Sequence, residues 1–333
     1  MGGRVLVTGG AGYIGSHAAN ALIDRGEDVT VIDRLSTGFE WLVPPAADLV
    51  VADIGDTEKL SALLNGGRFD AIMHFAGSIV VPESVADPLS YYENNTVKSR
   101  GLIECAVRAG IPHFVFSSTA AVYGSVGAEP VAEDAPLRPE SPYGSSKLMT
   151  EIMLADAAKA DPIRYGVLRY FNVAGADPKG RTGQSAKGAT HLIKVAAEAA
   201  CGKRDGIEIF GDDYPTADGT CVRDYIHVTD LVAAHLLTLD RLREGGESLT
   251  ANLGYGHGFS VREVLDTVDR VAGNPIQRSM GPRRPGDAAS IVADPSKARQ
   301  ELNWQPAHDD LTGIVEDALR WERHLQSRNR DEV

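Results

Sequence analysis

The chain has 333 residues, 43% hydrophobic and 24% charged, which describes an ordinary globular protein long enough for a sizeable core and excludes a disordered or fibrous one. A formal charge of −13 argues against nucleic acid or an anionic membrane as the main partner, so an anionic ligand needs local basic groups. Cys105, Cys201 and Cys221 are too few and too scattered for a disulfide framework or a zinc site, and no apolar run is long enough to span a bilayer. Because Met1-Gly2-Gly3-Arg4 runs straight into an apolar stretch, leaving no room for a signal peptide, the expected location is the cytoplasm.

The first strand candidate, Arg4–Thr8, leads into Gly9-Gly10-Ala11-Gly12-Tyr13-Ile14-Gly15 and then a helical pattern over Tyr13–Arg25. Such glycines allow a tight turn, a close backbone approach to a pyrophosphate and close helix–strand packing. The helix N-terminus would present free N–H groups and a positive dipole to phosphates. The next candidate, Val29–Ile32, ends in Asp33, at the spacing of an acid that accepts hydrogen bonds from ribose hydroxyls. A carboxylate there favours NAD over NADP, although the adjacent Arg34 is compatible with a 2′-phosphate.

Further strands are expected at Leu49–Val51, Ala71–Phe75, Phe114–Ser118 and Tyr165–Tyr170. Helices are expected at Leu89–Ala109, started by Asp87-Pro88 and stopped by Gly110, and at Pro142–Ala160. This alternation predicts an α/β fold: a Rossmann-type doubly wound parallel sheet, with ligands at the C-terminal strand ends. After about Asn172 the texture changes. Loops at Gly175–Gly188, Gly211–Thr220 and Met280–Asp287 separate helices at Thr190–Cys201 and Val261–Val271. The expected division is an NAD-binding domain over 1–174 and a smaller C-terminal α/β substrate lobe over 175–333, with a stretch around 224–242 returning to the first.

Tyr143-Gly144-Ser145-Ser146-Lys147 places a phenol and an ammonium one helical turn apart. A cation nearby favours the phenolate, which suits a general base for an alcohol. The bland alternative is a solvated helix face. Ser117-Ser118-Thr119 follows an apolar strand, so its hydroxyls should emerge at the cleft, where one beside the phenol can relay a proton; ordinary turn bonding is the alternative.

Together these elements resemble the extended short-chain dehydrogenase/reductase superfamily. Other segments resemble its UDP-glucose (UDP-galactose) 4-epimerase branch: His74-Phe75-Ala76-Gly77, Glu83-Ser84-Val85, Tyr91-Tyr92-Glu93-Asn94-Asn95, Ala120-Ala121-Val122-Tyr123-Gly124 and Arg169-Tyr170-Phe171-Asn172. More specific to nucleotide-sugar epimerases are Gly219-Thr220-Cys221-Val222-Arg223-Asp224-Tyr225-Ile226-His227-Val228 and Arg283-Arg284-Pro285-Gly286-Asp287. The resemblance implies transient oxidation at sugar C4 with tightly held NAD, Tyr143 as base, Lys147 tuning it and Thr119 bridging to the 4-oxygen. It assigns Gly9, Gly12, Tyr13, Ile14, Gly15, Asp33, Asp53, Ile54, Phe75, Ala76, Gly77, Asn94, Ser117, Tyr143, Lys147 and Phe171 to the cofactor. It assigns Thr119, Tyr143, Asn172, His191, Leu192, Phe210, Arg223, Arg284, Asp287 and Ile291 to the UDP-sugar. A homodimer packed through the Leu89–Ala109 and Pro142–Ala160 helices is also implied.

Four departures stand out. Thr119 replaces a frequent serine, Ile79 a lysine of some members, and His191 an asparagine that often contacts the nucleotide. Ile291 stands where residue size controls the space around the sugar 2-substituent, which suggests some tolerance of N-acetylated sugars. A 4,6-dehydratase would carry Asp-Glu where Ala120-Ala121 stand, and a decarboxylase a Glu at Ala121. UDP-pentoses and UDP-uronates stay open as substrates. A non-catalytic nucleotide-binding protein would be expected to lose the Tyr–Lys pair or the adjacent hydroxyl, and a metal-dependent hydrolase has no ligand-spaced histidine cluster to support it.

Overall fold

Runs of β-branched and aromatic residues, apolar at consecutive positions, suit strands covered on both faces, and the first half of the chain folds accordingly. The computed structural model describes residues 2–127, 129–186, 188–284 and 288–331. The first half comprises β1 (Arg4–Thr8), α1 (Tyr13–Asp24), β2 (Asp28–Asp33), β3 (Asp48–Val51), α2 (Thr57–Gly67) and β4 (Ala71–His74). It continues through α3 (Val81–Ala86), α4 (Pro88–Tyr91), a π-helical turn (Tyr92–Val97), α5 (Lys98–Arg108), β5 (His113–Ser117), α6 (Pro142–Ala160) and β6 (Arg164–Tyr170).

The second half comprises β7 (Asn172–Ala174), α7 (Leu192–Ala200), β8 (Ile207–Phe210), β9 (Val222–Arg223), β10 (Tyr225–His227), α8 (Val228–Arg243) and β11 (Leu249–Leu253). After these come β12 (Phe259–Ser260), α9 (Val261–Ala272), β13 (Arg278–Gly281), β14 (Ser290–Ile291), α10 (Ser296–Glu301) and α11 (Leu311–Asp331).

Among the described residues, seven strands form one parallel sheet in the order β11-β6-β5-β4-β1-β2-β3. Alternate residues of the central strands feed two cores: Val5, Val7, Met73 and Val115 on one face, Leu6, Ile72, Phe114 and Phe116 on the other. The strand order reverses direction at β1 and β4, so the connections after these strands diverge and open a crevice at their C-terminal ends. The later elements add short two- and three-stranded pairings beyond that edge, joining β7 to β10, β8 to β13, and β9 to β12 and β14.

Two elements differ from expectation. β11 extends the sheet although it lies far beyond residue 174, next to β6 through Leu249↔Gly166 to Leu253↔Tyr170. The helix expected over Leu89–Ala109 is interrupted by the π turn, whose wider winding changes which side chains face inward. Asp87 still caps its start, accepting from the Ser90 backbone N–H at 3.3 Å, and Gly110, at φ +69°, marks its end.

Candidate active site

The crevice is a cavity of about 600 Å³. One end is a glycine cradle between β1 and α1. Gly9 has φ +71°, and a Cβ there would lie 2.6 Å from the Ala76 nitrogen, so only glycine fits. A Cβ on Gly15 would strike the Gly9 carbonyl, which fixes the close packing of helix on turn. Asp33 braces this loop as well as facing the cavity: its carboxylate accepts from the backbone N–H of Ala11 at 3.1 Å and of Leu35 at 2.8 Å. Arg34 turns to Asp53 at 3.2 Å, and Lys98 holds the same carboxylate at 2.6 Å.

Phe75, Ala76 and Gly77 follow β4 along the wall, with Ile54 from the β3–α2 connection and Asn94 from the π turn. His74, buried behind them, is pinned between Thr8 (2.7 Å) and Ser99 (2.8 Å), and burial, with Lys147 nearby, lowers its pKa to about 3. Asn95, the other half of the tandem amide, turns inward. It accepts from the Ser78 backbone N–H at 2.7 Å and donates to Ser146 Oγ at 3.1 Å, tying this wall to α6.

At the far side Ser141 and Pro142 start α6, with Ser141 Oγ accepting from the Gly144 N–H at 3.2 Å. That start delivers Tyr143 and, one turn on, Lys147 to the cavity wall, and both are buried, not solvated. Lys147 Nζ donates to the Ser117 carbonyl at 2.9 Å and lies 4.7 Å from the centre of the Phe116 ring. Burial lowers its pKa to about 8, with Glu151 opposing. Burial likewise raises the Tyr143 phenol above its ordinary value, and the group that pulls it back is Thr119, through a hydrogen bond. The expectation that Lys147 lowers the Tyr143 pKa is therefore corrected for this structure: the ammonium is engaged at Ser117 and Phe116, and desolvation dominates the phenol.

Of the three hydroxyls at the end of β5, Ser117, Ser118 and Thr119, only Thr119 reaches the cavity. Ser117 Oγ donates to the Tyr170 hydroxyl at 2.9 Å, and Ser118 bonds the Glu151 carboxylate that also neutralises Arg169, both inside the protein.

A comparison with known families matches residues 5–254 to the NAD dependent epimerase/dehydratase family. The chain belongs to this family. It is 57% identical to the UDP-glucose 4-epimerase of Azospirillum brasilense over 97% of this chain and 93% of that protein. The crystal structure of UDP-glucose 4-epimerase from Brucella ovis in complex with NAD superposes with a TM-score of 0.93 at 42% identity, covering 96% of this chain and 98% of that one. The UDP-Glc/GlcNAc 4-epimerase of Campylobacter jejuni, 47% identical, matches with a TM-score of 0.86 over 97% and 100% of the two chains.

As a member of the NAD dependent epimerase/dehydratase family, the chain fits its cofactor. The cradle that a Cβ would fill, the helix N-terminus behind it, and the Asp33 and Asp53 carboxylates at the same end make a donor and acceptor set suited to a dinucleotide. Tyr13 and Ile14 line that end, Phe171 and Asn172 the middle. Beyond the phenol, the wall includes His191, Arg223 and Ile291. Gln184 bonds His191 Nδ1 at 2.9 Å, and Arg223 donates to the Val222 and Ala288 carbonyls, each at 2.9 Å. Ile291 pairs in register with Arg223 across β14 and β9.

Ser117, Leu192, Phe210 and Arg284 lie outside the cavity wall in this structure. Arg284 rests on the Phe210 ring, 3.8 Å from its centre, a stacking pair beyond the crevice. Asp287 lies outside the described residues. Wall residues that sequence reasoning passed over include Thr37, Gly38 and Leu42 after β2, Gln184 and Ser185 in the long loop, and Tyr170. The Arg169-Tyr170-Phe171-Asn172 run held the signal for Tyr170. The others sit in loops without a periodic pattern.

Proposed function

We propose that the chain interconverts UDP-glucose and UDP-galactose by transient oxidation at the sugar C4, holding its NAD through each cycle. The single observation that carries this reading is the meeting of Tyr143, Lys147 and Thr119 in one cavity with the Gly9–Gly15 cradle. NAD, when bound, accepts a hydride from the sugar carbon and returns it. Tyr143 takes the proton from the 4-hydroxyl and gives it back to the 4-keto oxygen. Thr119, hydrogen-bonded to the phenol, stabilises the phenolate and can hold the same sugar oxygen. Lys147 supplies positive charge on the same wall as the phenol. Ala120 and Ala121 line the cavity where a dehydratase needs proton-exchanging side chains, which supports epimerisation over dehydration. Asn172, His191, Arg223, Leu192, Phe210, Arg284 and Asp287 are assigned to UDP, the arginines because guanidinium suits phosphate oxygens.

In this reading residues 1–174 bind the dinucleotide and 175–333 form the sugar-nucleotide lobe, with α8 and β11 returning to the sheet. Two copies pack through the Leu89–Ala109 stretch and α6, a reading supported by the exposed apolar side chains Leu89 and Val97 on the first and Met149 and Ile152 on the second. Among the described residues no helix is long and apolar enough to cross a membrane. We place the chain in the cytoplasm, in keeping with the free thiols of Cys105, Cys201 and Cys221.

Incubation with UDP-galactose, UDP-GalNAc and UDP-glucuronate without added NAD tests this reading. Formation of UDP-glucose from UDP-galactose is expected; no C4 inversion of any of the three would refute it. Ile291, branched and smaller than tyrosine, leads us to expect measurable UDP-GalNAc turnover as well.

A further inference from the structure

Two cavity-lining segments far apart in sequence meet at one indole outside the cavity. The first, residues 36–43, follows β2 and contributes Ser36, Thr37, Gly38 and Leu42 to the wall near Asp33. It is tied to the glycine loop by the Phe39 N–H, which donates to the Ala11 carbonyl at 3.0 Å. The second contributes Gln184 and Ser185. The Trp321 side chain of α11 stacks on Trp41 of the first segment, centroids 6.2 Å apart and planes at 26°. Its Nε1 donates to Ser185 Oγ of the second at 3.2 Å.

This indole has a firm backing. The next residue, Glu322, is almost fully buried and pairs with Lys194 of α7 and with Lys203. Trp321 also packs with Leu42, Ala176 and Leu325 in an apolar cluster separate from the sheet cores. Neither tryptophan lines the cavity itself, so any influence on a ligand passes through the segments they hold.

We propose that Trp41 and Trp321 form a clasp that slows release of the dinucleotide by holding these two wall segments together. The inference rests on the reading of the cavity as an NAD site. A group lodged between the segments leaves only when the wall parts, and parting the wall at this point separates the stacked rings. The two tryptophans are positioning residues. An epimerase that regenerates its cofactor gains nothing from releasing it, which gives such a clasp a use.

The test follows NAD release from purified holoenzyme in the presence of an NAD glycohydrolase that destroys the free cofactor. Trp41→Ala and Trp321→Ala should each release NAD roughly ten-fold faster or more, with Trp41→Phe close to wild type because it keeps a ring in the stack. Leu325→Ala, which opens the same apolar cluster without removing either stacked ring, should release NAD at close to the wild-type rate, since a general structural lesion would speed release in it as well. Unchanged release rates in both alanine variants, or Leu325→Ala releasing NAD as fast as they do, would overturn the clasp. If Trp321→Ala fails to fold, Trp41→Ala, in a half-buried loop, decides the matter alone. A wild-type chain that neither retains nor takes up NAD would overturn the underlying reading and the clasp with it, a result visible before any variant is made.

Discussion

At the scale of single residues, the proposed chemistry falls to the phenol and the ammonium, and each is perturbed mainly by burial. Tyr143→Phe removes the group proposed to take the sugar proton, so turnover should fall by about 10²–10⁴-fold while bound NAD is retained. Initial rates and the nucleotide content of the protein check this, and near-normal activity would remove Tyr143 as the base. Burial raises the phenol and lowers Lys147 to about 8, so the pair is poised against ionisation. Lys147→Met should cut turnover without moving the titration of the phenol, because burial and Thr119 set that titration and the ammonium is engaged at Ser117 and Phe116. A pH–rate profile shifted towards alkaline pH in that variant would mean that the ammonium does tune the phenol. That these two side chains share the cavity wall was legible because Tyr-x-x-x-Lys after a glycine-rich βα turn is a rare combination. Their electrostatics were not, because spacing along a helix does not report what the ammonium bonds to; here it turns to the Ser117 carbonyl.

At the scale of elements, α6 and β6 are held by a charge pair with almost no access to water. Arg169 meets the Glu151 carboxylate through Nε at 3.1 Å and NH2 at 2.6 Å, and its NH1 donates to the Tyr123 hydroxyl at 2.9 Å. Glu151→Gln would leave the guanidinium buried without a counter-charge, so unfolding free energy should drop by about 3–5 kcal/mol. Urea denaturation measures it, and a loss below about 1 kcal/mol would mean that water or Tyr123 compensates. The same carboxylate opposes the desolvation of Lys147 from one turn away, so the variant should also move the alkaline limb of activity to lower pH. The six strands from β1 to β6 were legible from their apolar runs, and α6 from its helical pattern over Pro142–Ala160. β11 was not, because Leu249–Leu253 is short and interrupted by Thr250 and Asn252, and its place beside β6 depends on a long-range return. The π turn was equally hidden. Its six residues carry no apolar period, and the inward turn of Asn95 is set by Ser78 and Ser146.

At the scale of the whole molecule, α8 closes the sheet on α1, and three buried histidines record how dry that interior is. His17 on α1 and His235 on α8 each donate through Nδ1 to the carbonyl four residues back, at 2.7 and 2.9 Å, while Nε2 finds no hydrogen-bond partner among the described residues. Burial lowers the pKa of both to about 4 and that of His74 to about 3. These folded values lie below the ordinary histidine value, so between them and about 6.5 the unfolded chain binds protons that the native chain does not. Stability is therefore full above about pH 6.5 and is lost as pH falls towards the folded values. The lowered carboxylates, such as Asp24, Asp177 and Asp317, act in the same sense only at lower pH, below their ordinary value of 3.8. Moving from about pH 7.5 to about pH 5.5 should therefore cost about 1.4 kcal/mol for each histidine, about 4 kcal/mol for the three. His235→Phe, replacing a ring that already packs 5.1 Å from Phe75, removes one of these protonation sites. The difference between urea midpoints at the two pH values should shrink in that variant, by less than about one third because burial lowers His113 and His191 as well. An unchanged difference would mean that His235 takes up its proton in the folded state, and that the interior behind the active site is wetter than its burial implies.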